Sequence, residues 1–120
     1  MATILVIDDH EPLRALLRTV LEGAGHDVLE AANGRLGLEL YRERSADLII
    51  TDLAMPEMNG LNLILELTRS FLDVKVIAMS GTPDSEGPLR VAKLLGARQT
   101  FHKPFNVEEL LRAVEYDLTH

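Results

Sequence analysis

The sequence predicts an α/β protein in which one parallel β-sheet is covered by helices on both faces. Strand-like and helix-like segments alternate in five consecutive pairs, and the joints between them are short. The middle strand-like segment, Leu48, Ile49 and Ile50, is apolar without interruption, which is typical of a strand buried on both faces of a parallel sheet. Because no long linker or repeat interrupts the 120 residues, residues 1–120 are expected to form one domain.

The first two strand–helix pairs are bounded by turn residues. Pro12 suits the first turn of a helix, where its missing N–H needs no partner, and Gly23 and Gly25 end that helix. Asn33-Gly34 is predicted as the turn after the second strand. The predicted segments are strand Thr3–Ile7, a helix with Leu13, Leu16, Leu17, Val20 and Leu21 on one face, strand Asp27–Ala31, and a helix at about 35–44 carrying Leu36, Leu40 and Tyr41.

The third pair places a carboxylate at the end of its strand, where Asp52 follows the apolar run. An Asp at this position usually caps the next helix, but Pro56 and Asn59-Gly60 are turn residues. The third helix is therefore expected to begin no earlier than about Gly60, too far away for Asp52 to cap it. Asp52 is then either a solvated loop acid or a reactive or metal-binding carboxylate in the crevice where open α/β sheets bind ligands.

The fourth helix is the shortest of those predicted. Pro88 suits a first turn and Gly96 a stop, which leaves room for only about two turns. The other predicted segments are a third helix with Leu61, Ile64, Leu65 and Leu67, a strand at 74–79, a loop of Ser80, Gly81, Thr82 and Pro83, a strand at 98–102, and a last helix with Val107, Leu110, Leu111, Val114 and Leu118.

Composition excludes several classes of function. The chain has no cysteine, so disulfides, zinc–thiolate sites and thiol catalysis are excluded. The formal net charge of −7 argues against direct binding of nucleic acid, whose phosphates are bound by clustered Lys and Arg. The apolar run near the N terminus is too short for a signal peptide or a membrane span, so no membrane partner is expected. A cysteine-free chain is compatible with the reducing cytoplasm, which is the expected location.

Five polar residues follow four of the predicted strands at their carboxyl ends, and these are Asp8, Asp9, Asp52, Ser80 and Lys103. In a parallel sheet these ends share one edge, so the side chains are expected to converge. Neighbouring strands lie about 4.8 Å apart, which brings the acids of adjacent strands within roughly 5 Å of one another. Two such charges repel by about 3 kcal/mol at an effective dielectric constant near 20.

A bound cation would relieve this repulsion between carboxylates. Oxygen-only ligands favour a hard ion, and Mg²⁺ in particular keeps several waters and often shares a carboxylate with a phosphoryl group. His10 adjoins the acids and leaves a transition metal as an alternative. A histidine beside a helix start is more often a solvated first-turn residue.

These residues together resemble the receiver domain of two-component response regulators, and the resemblance covers essentially the whole chain. The residues that carry it are, in order, Asp8-Asp9, Asp52 within DLAMPEMNG, Ser80-Gly81 and Lys103-Pro104-Phe105. No single motif is specific, but all of them occur in order on consecutive strand–helix pairs. The resemblance implies a flavodoxin-like, doubly wound sheet of five parallel strands in the order 2-1-3-4-5.

The resemblance also implies roles for the acids. Asp52 would accept a phosphoryl group from the phosphohistidine of a sensor histidine kinase or a histidine phosphotransfer protein. Asp9 would bind Mg²⁺ directly and Asp8 through water, and Asp52 and the backbone carbonyl of Ala54 would complete the protein ligands. The alternative for Asp8 and Asp9 is capping of the first helix.

Lys103 and Ser80 would act on the phosphoryl group. Lys103 would pair with its oxygens, and a cis bond before Pro104 would aim the ammonium into the site. Ser80 would donate its hydroxyl, and its movement would change the surface of helix four, strand five and helix five for a protein target or output domain. Gly81 would leave room for the phosphodonor and for water. Beyond phosphorylation and slow dephosphorylation of its own Asp52, the chain is not expected to be an enzyme.

Two departures from the family pattern affect the switch. The family commonly has an aromatic residue or His three positions before the lysine, where this chain has Thr100. Phe101 cannot replace it, because neighbouring strand residues point to opposite faces. The segment from Ser80 to Gly96 is slightly longer than is usual and is expected to give a late-starting, mobile fourth helix.

Two alternatives to a phosphorylated switch remain at the level of sequence. The first is a pseudo-receiver, which keeps the fold as a constitutive protein-interaction module, and Thr100 motivates it. The second is a Mg²⁺-dependent aspartyl phosphatase or a flavin-binding relative of flavodoxin. The phosphatases usually carry a DxD arrangement on the first strand, whereas this chain has Asp8-Asp9 there and Asp52 later. It also lacks tryptophan to stack on a flavin.

Overall fold

The chain folds as five strand–helix pairs, seen in a computed structural model that describes residues 2–55, 58–82, 84 and 86–120. The strands are β1 (Thr3–Ile7), β2 (Asp27–Ala31), β3 (Leu48–Asp52), β4 (Val76–Ser80) and β5 (Gln99–His102). The helices are α1 (Glu11–Gly23), α2 (Gly34–Glu43), α3 (Gly60–Ser70), α4 (Glu86–Leu95) and α5 (Val107–Thr119). All pairings are parallel and the sheet order is β2-β1-β3-β4-β5, which confirms the predicted flavodoxin-like arrangement.

Each face of the sheet has its own hydrophobic core. Alternate residues of β1 belong to different cores: Ile4 and Val6 pack with α1 and α5, whereas Leu5 and Ile7 pack with α2, α3 and α4. The four are completely buried, as the apolar side chains of β3 are. Burial on both sides explains why these strands are apolar at successive positions rather than at alternate ones.

Asparagine caps begin α2 and α3. The side chain of Asn33 accepts a hydrogen bond from the Leu36 N–H at 2.9 Å, and Asn59 does the same for Asn62. The predicted turn at Asn33-Gly34 is therefore the cap and first residue of α2, so this helix begins one residue earlier than predicted. The expectation that α3 begins at about Gly60 is confirmed.

The bounds of β4 and α4 also differ from prediction, and β5 begins at Gln99, one residue later than predicted. β4 begins at Val76 rather than at residue 74, because the ladder with β3 starts where Ile49 pairs with Val76. α4 begins at Glu86 and has 10 residues, longer than the predicted two turns. Pro88 does lie in its first turn, where the N–H groups need no partner within the helix. The turn residue predicted at Pro56 and the loop residue at Pro83 lie outside the described residues.

The part of the chain that the structure describes contains no helix with both the length and the apolar character that crossing a membrane requires.

Candidate functional site

Three carboxylates meet at the carboxyl edge of the sheet. Asp8 follows β1 and Asp52 ends β3, and the two strands are neighbours. One carboxylate oxygen from each of Asp8, Asp9 and Asp52 lies within 4.8 Å of the others. Asp8 and Asp52 are 0% and 4% exposed, whereas Asp9 is open to solvent. The predicted convergence of these three acids is therefore observed.

The ammonium of Lys103 lies against the two buried acids. Its Nζ donates a hydrogen bond to Asp8 Oδ2 at 2.8 Å and lies 3.3 Å from Asp52 Oδ1. The second contact is an ion pair without good hydrogen-bond geometry, because the buried Asp52 Oδ1 has no hydrogen-bond partner among the described residues. The Lys103–Pro104 peptide bond is cis. Lys103 thus joins the three acids, in the place that the sequence predicts for it.

Burial and charge shift the pKa values of the pair in the same direction. Burial raises the pKa of Asp52 above its ordinary value; the charge of Lys103 opposes this, while the charges of Asp8 and Asp9 add to it. Burial lowers the pKa of Lys103, but its hydrogen bond to Asp8 and the charge of Asp52 outweigh burial and raise it. Three carboxylates therefore share one ammonium, and the site has an excess of negative charge.

This arrangement fits a hard divalent cation. The candidate ligands are all carboxylates, their oxygens lie close together, and Asp52 Oδ1 is buried with no hydrogen bond from any residue that the structure describes. His10 does not belong to the group of described residues that could hold a metal; it is exposed, and its backbone N–H donates to Asp8 Oδ1 at 2.8 Å. Ala54 lies exposed in the loop after β3, and the role of its carbonyl stays a prediction.

The capping alternative for the first acids is not observed. His10 is the N-cap residue of α1, and within the described part of the chain no side-chain hydrogen bond caps this helix. The Asp8 carboxylate instead accepts from the N–H of His10, two residues on, and from Lys103. Asp8 therefore fixes the loop between β1 and α1 without capping the helix itself.

Ser80 and Gly81 flank the lysine on the side of β4. Ser80 ends the strand and is 1% exposed; its Oγ lies 3.4 Å from Thr82 Oγ1, and its carbonyl accepts the Lys103 N–H at 2.8 Å. A Cβ added to Gly81 would lie 3.1 Å from the Cβ of Lys103. Gly81 therefore leaves space for the stem of the lysine, a reason for glycine that the sequence did not indicate; its predicted role toward a phosphodonor stays a prediction.

Thr100 and Phe101 lie on opposite faces of β5, as expected. Thr100 pairs with Ala78, which belongs to the core under α2, α3 and α4. Phe101 packs instead with the core under α1 and α5, and its ring lies edge-on to Phe105 with centroids 6.4 Å apart. The face of Thr100 therefore has a half-buried threonine where the family commonly has a ring.

Two residues that contact the acids were not predicted as part of the site. A Cβ on Gly60 would lie 2.6 Å from Leu53 Cα and would also collide with the backbone oxygen of Asp52. Arg14 donates a hydrogen bond to the backbone carbonyl of Asp8 at 2.6 Å. Asn-Gly indicates a turn in any sequence, and an arginine in a predicted helix carries no sign of its partner, so neither contact had a specific sequence signal.

Comparison with known proteins decides the family. Residues 4–115 match the model of the response regulator receiver domain. The chain belongs to this family. Receiver domains of two-component systems act in phosphorylation-dependent signalling, so this chain is a signalling domain. The assignment goes against the aspartyl phosphatase and the flavin-binding relative as alternatives.

Several characterised proteins resemble this receiver domain along nearly its whole length. The chain is 32% identical over 112 residues to the chemotaxis protein CheY of Thermotoga maritima, covering 92% of each chain. It is 30% identical to the sporulation initiation phosphotransferase F of Bacillus subtilis, covering 93% of this chain and 90% of the relative. It is 36% identical to the transcriptional regulator NtrC of Azospirillum brasilense, but there it spans 24% of the relative's length.

Solved receiver structures have the same fold. A response regulator receiver domain protein from Clostridium thermocellum superposes with a TM-score of 0.93 at 29% identity, covering 99% of this chain and 95% of that one. The response regulator TrrA from Thermotoga maritima, in complex with Mg²⁺ and BeF, superposes with a TM-score of 0.88 at 30% identity, covering 98% and 99%.

Proposed function

We propose that this receiver domain, as one domain over residues 1–120, accepts a phosphoryl group on Asp52 with the help of Mg²⁺. The observation that carries the proposal is the convergence of three carboxylates and one ammonium around Asp52, whose buried Oδ1 has no hydrogen-bond partner among the described residues. This oxygen has the ion pair with Lys103, but an acid that only stabilised the fold would be expected to have its buried oxygens hydrogen-bonded as well. The complex of TrrA with Mg²⁺ and BeF supports the same chemistry.

In the proposed reaction a carboxylate oxygen of Asp52 attacks the phosphorus of a phosphohistidine. The O–P bond forms and the N–P bond breaks, and its electron pair leaves with the imidazole nitrogen, which takes a proton from solvent. Asp8, Asp9 and Asp52, with the Ala54 carbonyl, would hold Mg²⁺. When bound, the ion neutralises the negative charge that phosphoryl oxygens bring to these acids.

Lys103 supplies positive charge to the site from the protein itself, in addition to the charge of the bound ion. Its Nζ is already 3.3 Å from Asp52 Oδ1, and we propose that it pairs with the new phosphoryl oxygens. The Ser80 hydroxyl would donate to the same group. Because the Ser80 carbonyl accepts a hydrogen bond from the Lys103 N–H, movement of Ser80 would shift the ends of β4 and β5 together. We propose that the output is a changed surface of α4, β5 and α5.

The proposed phosphodonor is a sensor histidine kinase or a histidine phosphotransfer protein. Relatives support this class of partner, since a segment of histidine kinase P4 from Formosa agariphila is 34% identical to this chain. The proposed reader is a protein target or an output domain, neither nucleic acid nor membrane being a direct ligand. We propose that the chain acts with such partners in the cytoplasm. No turnover of an external substrate is proposed.

Intact mass and amide NMR of wild type and Asp52→Asn test this function. With Mg²⁺ and a small phosphodonor, wild type should gain the mass of one phosphoryl group, and with beryllofluoride its shifts should spread from Asp52 through Ser80 to α4 and β5. Asp52→Asn lacks the nucleophile and should show neither change. Labelling of Asp52→Asn at the same site would contradict the assignment.

A pseudo-receiver is the second candidate, because Thr100 leaves the switch without its usual ring. The same experiment distinguishes the two functions. If Mg²⁺ binds but neither phosphodonor nor beryllofluoride changes wild type, the fold serves as a constitutive interaction module. Phosphorylation confined to Asp52, with no shifts at α4 and β5, would show that the chemistry is kept and the surface change is lost.

A further inference from the structure

Arg14, on α1, reaches back to the loop that carries the first two acids. Its Nη1 donates a hydrogen bond of 2.6 Å to the backbone carbonyl of Asp8, and its Nε donates to Glu30 Oε1 at 3.1 Å. The side chain of Arg14 is only 15% exposed. A charged donor at this distance makes one of the stronger hydrogen bonds found in proteins.

The carbonyl that Arg14 binds belongs to the peptide joining Asp8 to Asp9. Because a peptide unit is planar, holding its oxygen fixes the plane from which the Asp9 side chain departs. The other end of Asp8 is fixed as well, since its N–H donates to the Ala31 carbonyl at 3.1 Å. The peptide from which the Asp9 side chain departs is therefore held by this guanidinium, whereas the Asp8 carboxylate is held by the His10 N–H and by Lys103.

Glu30 on β2 holds the arginine in place. One of its carboxylate oxygens accepts from Arg14, and the other accepts from Arg18 Nε at 2.6 Å. Burial raises the pKa of Glu30, but hydrogen bonds and charge from Arg18 and Arg14 outweigh burial and lower it. Arg18 also donates to the Val28 carbonyl at 2.9 Å. Glu30 is therefore ionised and partly balances the charge of Arg14 beside the site.

We propose that Arg14, held by Glu30, is a positioning residue for the metal site, which fixes the peptide between Asp8 and Asp9 and so directs the Asp9 carboxylate toward the other two acids. The inference rests on the proposed Mg²⁺ site and extends it beyond the residues that would touch the ion. Groups that orient metal ligands in this way commonly change metal affinity when they are removed.

Charge and position predict opposite effects of removing Arg14. A guanidinium near the acids repels a cation, so the loss of its charge alone would tighten Mg²⁺ binding. The loss of its hydrogen bond frees the peptide between Asp8 and Asp9, which would weaken binding. The sign of the change in the Mg²⁺ dissociation constant therefore separates a positioning role from an electrostatic one.

The test is the Mg²⁺ dissociation constant of the full chain, measured from amide NMR shifts during a Mg²⁺ titration. Arg14→Met and Arg18→Met each remove one positive charge and one partner of Glu30, but of these two arginines only Arg14 has a hydrogen bond to Asp8 among the described contacts. We expect binding about tenfold weaker in Arg14→Met and changed by less than about twofold in Arg18→Met.

Arg14→Lys is the conservative variant. A lysine can donate to the Asp8 carbonyl but cannot hold it and Glu30 together with a planar fork, so its dissociation constant should lie between those of wild type and Arg14→Met. Urea unfolding without Mg²⁺ supplies the second measurement. A purely structural role predicts lower stability in Arg14→Met with an unchanged dissociation constant.

The outcomes separate this inference from the proposed function. Equal or tighter Mg²⁺ binding in Arg14→Met overturns the inference alone, since wild type still binds the ion. No binding by wild type overturns the proposed function and the inference with it. If Arg14→Met does not fold, Arg14→Lys decides, and a dissociation constant equal to that of wild type overturns the inference.

Discussion

Asp52 combines burial with charge, and this combination affects stability as well as chemistry. Its pKa in the folded chain is raised by burial, more than Lys103 lowers it. The folded state therefore holds a proton to higher pH than the unfolded state does. The free energy of unfolding must then fall as pH rises from the unfolded pKa through the folded pKa, so ionised Asp52 destabilises the fold at neutral pH.

Asp52→Asn removes this charge and keeps the shape of the side chain. Without Mg²⁺ we expect it to raise the free energy of unfolding at neutral pH by about 1 kcal/mol, as substitutions at strained functional sites often do. The gain should shrink at acidic pH, where Asp52 is protonated. Urea denaturation at several pH values measures it, with Asp27→Asn, at an exposed acid where β2 begins, as the control. A loss of stability in Asp52→Asn at neutral pH would contradict the burial argument.

Lys103 is the counterpart of these acids, and its removal should be costly. Lys103→Met leaves Asp8 and Asp52 buried without their shared cation, so we expect the free energy of unfolding to fall by about 2 kcal/mol. The loss is smaller than for a fully buried ion pair, because the lysine side chain is 21% exposed. Mg²⁺ should still bind, since the ammonium no longer competes for the same oxygens, and should restore part of the loss.

Urea denaturation with and without Mg²⁺ measures both effects of Lys103→Met. Lys93→Met is the matched control, because Lys93 lies on the surface of α4 and donates only to the Arg98 carbonyl among its described contacts. It should change stability little and show the wild-type response to Mg²⁺. Equal stability in the two variants would mean that Lys103 does not compensate the buried acids.

At the scale of elements, the start of α3 is fixed by its close approach to β3. The Gly60 N–H donates to the Leu53 carbonyl at 2.9 Å, and a Cβ at this position would lie 2.6 Å from Leu53 Cα. Gly60→Ala must therefore shift the helix start or the strand end. We expect it to destabilise the fold by about 2–3 kcal/mol and to disturb the Asp52 backbone.

Gly23→Ala provides the contrast within the same fold. Gly23 ends α1, and an added Cβ there would have no atom of the described residues within 4 Å. Alanine should be neutral or stabilise by up to about 1 kcal/mol, since it restricts the unfolded chain. Thermal unfolding of both variants measures the difference. Similar midpoints for the two would show that the approach of α3 to β3 is not tight.

The sequence predicts elements well where one physical signal dominates. β1 and β3 contain the apolar runs at residues 4–7 and 48–50, which are typical of strands buried on both faces. Asn33-Gly34 is compatible with two structures, because the same pair can form a turn or can cap and begin a helix. For this reason the predicted start of α2 is one residue later than the observed one. Val74 is apolar and was assigned to β4, but strand bounds depend on the partner ladder, which begins at Val76.

In the site, too, some features follow from local sequence patterns and others depend on residues that are distant in the chain. The convergence of Asp8, Asp52 and Lys103 could be predicted because the carboxyl ends of parallel strands share one edge, whatever the detailed packing. The contacts of Gly60 with β3 and of Arg14 with Asp8 could not, because they depend on distances between backbones far apart in sequence. The packing of Gly81 against the Lys103 stem belongs to this second kind.

At the scale of the whole molecule, a cation at the acids should stabilise the entire fold. The chain carries a net charge of −7, and folding brings oxygens of three of its carboxylates within 4.8 Å of one another. The unfolded chain does not hold these three acids together. A ligand that binds only the folded state raises the free energy of unfolding by about 2.7 kcal/mol when its concentration is 100 times its dissociation constant. For a domain of this size the unfolding midpoint should rise by roughly 10 °C.

This linkage predicts that Mg²⁺ reverses the stability order of wild type and Asp52→Asn. Without the ion the variant is the more stable, because it lacks the buried charge. With saturating Mg²⁺ the wild type should overtake it, because the charge that destabilises the free fold belongs, in the proposed site, to a ligand of the ion. Thermal unfolding of both proteins across a Mg²⁺ titration measures the crossing, with Ca²⁺-free buffer and an equal ionic strength of NaCl as the control for screening. If the variant stays ahead at every Mg²⁺ concentration, Asp52 is not a ligand of the ion, and the buried oxygen that led to the proposal needs another partner.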